Sequence, residues 1–176
     1  YRELRASLQQ ELLDAPEAAE RMRQRIRRIG HGSVLRTFVE AEIGSLQRLL
    51  ENVHDGDIRR AARAIARAAE VFLFAVGHAG ALALLLESRL GRVGFRTRIV
   101  KPVARDLAAD LLLARKGDAF VLFALNAVHP LLPRIVSHAR SPQATSILIT
   151  DLPAPVLRFG PDIVLSATRG PEDQPR

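Results

Sequence analysis

Side chains able to do chemistry gather at two short stretches of the chain. The first is Ala75-Val76-Gly77-His78-Ala79-Gly80 and the second is Leu125-Asn126-Ala127-Val128-His129-Pro130. Glycines at 77 and 80 let a backbone approach a ligand closely, and a helix starting there offers free N–H groups to an anion. The same glycines also suit a plain strand–helix turn. Asn126 or His129 either caps the helix that follows or faces the same crevice as His78. Of the five histidines, only His78 and His129 fall at expected strand ends. His31, His54 and His138 fall in turn or helix contexts and are expected to face solvent. Two imidazoles on neighbouring strand ends suit phosphate binding or acid–base steps. A metal pair would need a carboxylate or thiol beside them, so neither a metal nor another cofactor is expected. Asp106 is the nearest acidic side chain, and it reads as the N-cap of a helix starting at Leu107. There is no Ser–His–Asp set, Walker loop or clustered carboxylate pair.

The elements that must position these residues change in texture near Glu70. Before it the pattern is helical and charged. Arg2–Leu13 carries Leu4, Leu8 and Leu12 on one stripe, and Asp14-Ala15-Pro16 breaks it. Glu17–Ile29 is a second helix bearing five arginines between positions 21 and 28. They are spread around most of its circumference, as on a solvated linker helix; a nucleic-acid contact is the sharper alternative. Ser33 is placed to cap a third helix running to about Val53, with Leu35, Phe38, Val39, Ile43, Leu46, Leu49 and Leu50 on its apolar face. Asp57 is placed to cap a fourth, Ile58–Ala69, which alternates Arg with Ala.

After Glu70, strands and helices alternate. Val71–Val76 and Ala119–Leu125 are continuous apolar runs, as expected for strands buried on both faces of a parallel sheet. Thr97–Val100, Thr145–Thr150 and Asp162–Ser166 complete a set of five strands. Ala79–Arg92, Leu107–Ala114 and Pro130–Arg140 read as the helices between them, the last with Pro at its first position. The fold class is α/β, a five-stranded parallel sheet sandwiched by helices in flavodoxin-like fashion, with an N-terminal helical extension. The expected division is a helical linker and dimerisation region over 1–69, a ligand-binding domain over 70–169 and a frayed tail over 170–176. In an open α/β sheet the ligand lies beyond the carboxyl ends of the strands at the switch point, where both stretches fall.

Composition narrows the classes. The 176 residues include no cysteine, so disulfide scaffolds, thiolate metal sites and cysteine nucleophiles are excluded. With no Trp and one Tyr, an aromatic platform for single-stranded nucleic acid is not expected. The longest stretch without a charge, Val71–Leu86, is broken by Gly77, His78 and Gly80, too short for a membrane span. No secretory signal is read in Tyr1–Arg5, and a soluble, cytoplasmic protein is expected. The net charge of +7 is carried almost wholly by arginine and is spread along the chain. Such a spread argues for solubility and weak attraction to polyanions, not for a dedicated binding arm.

In the order VFLFAVGHAGALA, helix, strand, KGDAFVLFALNAVHP, helix, SILITD and DIVLS, the chain resembles a sugar isomerase (SIS) domain. KGDAFVLFAL and SILITDLPAPVLRFGPDIVL carry most of the resemblance. The preceding helices are similar to the region joining the DNA-binding and SIS domains of RpiR-type bacterial transcriptional regulators. YRELRASLQQEL is similar to the segment that ends their helix-turn-helix domain. The resemblance implies a non-enzymatic, effector-sensing and dimerising module for a carbohydrate derivative such as a phosphosugar. It also implies a homodimer or higher homo-oligomer, and DNA contact through a helix-turn-helix outside this chain.

SIS domains hold phosphate with a Gly- and Ser-rich first loop and a Ser-x-Ser-Gly-x-Thr-type second loop. Here the first loop's leading Gly falls on Ala75, its second Gly on Gly77 and its Ser on Ala79. In the second loop the two Ser positions fall on Ala124 and Asn126, the Gly on Ala127 and the Thr on His129. Most of the phosphate-gripping hydroxyls are therefore replaced. The implied ligand-binding residues are Gly77, His78, Ala79, Gly80, Asn126, Ala127 and His129, with no catalytic residue. Two alternatives stand beside this. One is a stand-alone phosphosugar isomerase using His78 or His129 as base, Glu87 being expected to face away. The other is a degenerate SIS domain kept for dimerisation.

Overall fold

In a computed structural model of the chain, the described residues are 33–153 and 157–167. The helices expected over 2–13 and 17–29, His31, and the tail 170–176 lie outside them.

Five strands form one all-parallel sheet: β1 Val71–Phe74, β2 Thr97–Val100, β3 Ala119–Ala124, β4 Thr145–Thr150 and β5 Ile163–Ser166. Their order is β2-β1-β3-β4-β5. β1 pairs with β2 from Val71 opposite Thr97 and with β3 from Val71 opposite Ala119. Every residue of β1 and β3 is buried, which explains why both read as unbroken apolar runs. The period of two sorts their side chains into two cores. Phe72, Phe74, Phe120, Leu122 and Leu148 face one side, and Val71, Leu73, Val121, Phe123 and Ile147 face the other. Phe72 and Phe120 stack in the first core with centroids 4.7 Å apart.

The α-helices among the described residues are α1 Val34–Asn52, α2 Asp55–Arg67, α3 Gly80–Arg92, α4 Ala104–Leu111 and α5 Leu132–Arg140. α4 and α5 cover the first core through Leu107, Leu111, Leu132, Ile135 and Val136. α2 and α3 cover the second through Ala61, Ala64, Ile65, Ala83 and Leu86. The expected α/β sandwich is therefore present. Contacts divide the chain into compact units at Gly44/Ser45, within α1. Ser33 caps α1 as expected, accepting from Arg36 N at 3.3 Å. No residue of α1 is buried; Phe38 is 63% exposed and Leu50 82%.

Several boundaries differ from the sequence reading. α2 starts at Asp55, with His54 in the cap position, so Asp57 lies inside the first turn, 3.8 Å from Arg60. α4 starts at Ala104 after Val103, which places Asp106 in the first turn and not at the cap. The strand Thr97–Val100 is as expected, and the helix begins three residues before Leu107, directly after extended Val103. α5 starts at Leu132, and the proline in its first turn is Pro133, not Pro130. His138 is half-buried and does not face open solvent. Its Nε2 lies 2.9 Å from Leu111 O because α4 and α5 share one face of the sheet.

Carboxylates, one buried and one exposed, tie the amino ends of the strands together. Asp118, 2% exposed, accepts from Glu70 N at 3.0 Å and Arg115 N at 2.8 Å, locking the entries to β1 and β3. Asp162 does the same between β4 and β5, its Oδ2 accepting from Ser146 N at 2.8 Å and Ser146 Oγ at 2.6 Å.

Candidate functional site

β1 leads to β2 on one side of the sheet, while β3 lies on its other side. The carboxyl ends of β1 and β3 therefore form the topological switch point, where neighbouring loops diverge and leave a crevice. The two chemistry-bearing stretches flank it.

After β1, extended Val76 leads into a 3-10 turn, Gly77–Ala79, and then α3. Gly77 has φ +59°, a left-handed conformation that a side chain disfavours, although a Cβ there would meet nothing within 4 Å. The glycine is required by the turn, not by packing. No side chain caps α3 and its first turn holds no acidic residue, so the field at this helix end favours an anion. His78 is exposed and Gly80 half-buried. Ala79 is 4% exposed and packs into the second core.

After β3, Asn126 adopts φ +68°, which Asn tolerates better than most residues. Asp151 at the end of β4, 9% exposed, fixes it by accepting from Asn126 N at 2.8 Å. Thr150 helps, its Oγ1 donating to Ala124 O at 2.7 Å and accepting from Leu152 N at 3.0 Å. Thus pinned, the Asn126 amide meets His78 across the crevice, Nδ2 to Nε2, at 3.2 Å. With Nδ2 donating, His78 Nε2 is the acceptor and the neutral ring's proton sits on Nδ1. His129 is half-buried, 5.8 Å from the Phe74 ring, and its Nδ1 accepts from Leu131 N at 3.3 Å. Its neutral form then carries the proton on Nε2. In those tautomers each ring keeps one N–H free to donate.

His78 and Asn126 are therefore brought together, and Gly77 and Gly80 shape the turn beside them. Ala127 is exposed in the same loop, while Ala79 and Ala124 are core residues. His129 caps nothing with its side chain beyond the Leu131 amide. Sequence reasoning missed Asp151 and Thr150, whose partners lie more than twenty residues away. Among the described residues, no group of three His, Cys, Asp or Glu is placed to hold a metal ion. No described helix is long and apolar enough to cross a membrane.

Strand order and all-parallel pairing define a doubly wound α/β domain, and its fold is that of sugar isomerase (SIS) domains. Solved structures share this fold. The sugar isomerase domain of an RpiR transcription factor from Sphaerobacter thermophilus superposes with a TM-score of 0.66 at 24% identity, covering 76% of this chain and 74% of that one. The Vibrio vulnificus NanR protein, solved with ManNAc-6P, gives a TM-score of 0.66 at 15% identity, covering 82% of this chain. The chain spans only 54% of NanR's length. A Methanococcus jannaschii protein for which a 3-hexulose-6-phosphate isomerase function was inferred gives 0.59 at 17% identity, with 74% and 72% covered. No protein-family model matches the sequence, and no curated protein does. Regulators and isomerases thus share the fold, and the fold alone does not choose between them.

Proposed function

We propose that this chain is the effector-sensing and dimerising module of an RpiR-type transcriptional regulator, and that it binds a phosphosugar or related carbohydrate derivative in the β1/β3 crevice. The observation that carries this reading is the His78–Asn126 contact at 3.2 Å, held by Asp151 beside the uncapped start of α3. Gly77, His78, Gly80, Asn126, Ala127 and His129 form the binding set, with Ala79 contributing through the backbone of the turn. Two imidazole N–H groups, an amide and a helix N-terminus replace the lost hydroxyls as donors to phosphate oxygens.

The same donor arrangement favours binding over catalysis. An isomerase needs a base with a free lone pair beside the sugar carbon. Here His78 Nε2 is taken by Asn126 and His129 Nδ1 by Leu131 N. Exposed leucines on α1 and α3, including Leu46, Leu50, Leu82, Leu84 and Leu85, support a homodimer as the working state. Residues 1–69 then form the linker and dimerisation region, 70–169 the ligand-binding domain and 170–176 a tail. A helix-turn-helix outside this sequence contacts DNA. Ligand in the crevice biases the placement of two subunits, and the N-terminal helices transmit it.

Calorimetric titration with sugar phosphates, ManNAc-6P and a hexulose 6-phosphate included, tests this. Saturable binding that falls at least tenfold in Asn126→Gly, without turnover, is expected. Turnover abolished by His129→Ala makes the protein an isomerase instead. An intact oligomer that responds to none of the compounds leaves the domain a degenerate, purely dimerising one.

A further inference from the structure

The end of the sheet away from the crevice holds a cavity of about 550 Å³. Its walls are Arg60, Arg63 and Arg67 of α2 and the amino-end residues Gly117, Thr145 and Asp162. Small-molecule sites span about 300–1,000 Å³, so the space suits a compact ligand. The three arginines lie at i, i+3 and i+7, along one face of the helix. By the helical rise, Arg63 and Arg67 are about 6 Å apart along the axis, and Arg60 lies about 4.5 Å further on.

These charges are poorly compensated. Arg60 is partly engaged, donating to Asp162 O at 2.9 Å and lying 3.8 Å from Asp57. Arg63 and Arg67 are exposed and make no hydrogen bond or ion pair among the described residues. Asp162 Oδ2 accepts from Ser146 and both oxygens of Asp118 accept from backbone amides; these carboxylates keep their charge, but neither forms an ion pair with Arg63 or Arg67 among the described residues. Lys116, beside Gly117, adds another positive charge. The negative end of the α2 dipole accounts for Arg67 in the last turn, but not for Arg63 in the helix interior.

We infer that this cavity is a second binding site, for a small ligand bearing two linked phosphate groups. Arg63 and Arg67 grip one group between their planar forks, and Arg60, steadied by Asp162 O, reaches the next. The cavity opens to solvent, with the strand entries behind the arginines leaving room for a compact ligand. The site does not depend on what the crevice binds.

Inorganic pyrophosphate is the probe, titrated into the full chain at about 150 mM salt, where surface attraction is screened beyond roughly 8 Å. Orthophosphate and a short DNA duplex run in parallel. The expected result is saturable pyrophosphate binding, at least tenfold tighter than orthophosphate. The double variant Arg63→Gln/Arg67→Gln weakens it tenfold or more, and Arg89→Gln/Arg92→Gln, which removes the same charge from exposed positions on α3, changes it less than twofold. Equal weakening by the two double variants reduces the effect to net charge and overturns the proposal. So does the absence of saturable pyrophosphate binding, with or without duplex binding that depends on Arg63 and Arg67.

Discussion

The two ends of this sheet use aspartate in opposite ways. At the amino end, the carboxylates of Asp118 and Asp162 accept from the strand entries. At the carboxyl end, Asp151 also bonds a backbone N–H, but that N–H belongs to Asn126, whose side chain crosses the crevice to His78. The first arrangement fixes strand register. The second fixes a loop in a left-handed conformation so that a polar group can be presented. One chemical device thus serves folding at one end and ligand presentation at the other. Beside the amino-end anchors, Arg63 and Arg67 form no ion pair among the described residues, since the anchoring carboxylates are turned to the strand entries.

The sharpest way to break this comparison is at Asp118. Asp118→Ala leaves Glu70 N without its acceptor in a half-buried setting and returns Arg115 N to water. A loss of about 2 kcal/mol in unfolding free energy is expected, from a typical cost of about 1–3 kcal/mol for an unsatisfied buried group. Urea denaturation measures it. Crevice affinity in the remaining folded fraction should stay within about twofold. A crevice that fails along with stability makes the two ends one mechanical unit, and the contrast between them fails.

Asp151→Ala should show the reverse weighting. Asn126 is exposed, so water replaces part of the lost bond, and about 1 kcal/mol is expected in the same denaturation experiment. Sugar-phosphate affinity should nonetheless fall about tenfold, because the Asn126 loop is released and the His78 contact goes with it. A change in stability without a change in affinity assigns Asp151 to the amino-end class of purely structural anchors.

The fold was legible in the sequence where burial is symmetric. β1 and β3 announce themselves because both faces of each are covered, so no polar residue interrupts VFLF or AFVLFA. His78 and Asn126 were legible as candidates because strand ends in such a sheet are where ligands bind. Their holder was not. Asp151 sits 25 residues from Asn126, and an aspartate after a strand looks locally like any turn residue. His138 was misread for a similar reason, since its partner Leu111 lies on a different helix. The α2 arginines were visible as an alternation of Arg with Ala. Their meeting with the start of β5 depends on a contact spanning 102 residues, Arg60 to Asp162, which no local pattern reports.

The smallest expected effect isolates what the Asn126 side chain does from what its backbone does. Asn126→Ala places a Cβ with no local hydrogen-bonding group at φ +68° and should cost about 1 kcal/mol through that conformation alone. Asn126→Gly relieves the same conformation, and its extra unfolded-state entropy offsets the gain, so stability should change by no more than about 0.5 kcal/mol. Both variants delete the amide that meets His78. If presentation is the purpose of this end of the sheet, the two should lose sugar-phosphate affinity equally while differing in stability. Affinity that instead follows stability, intact in Gly and lost in Ala, means that the loop's path binds the ligand and that the Asn126 side chain is incidental to it.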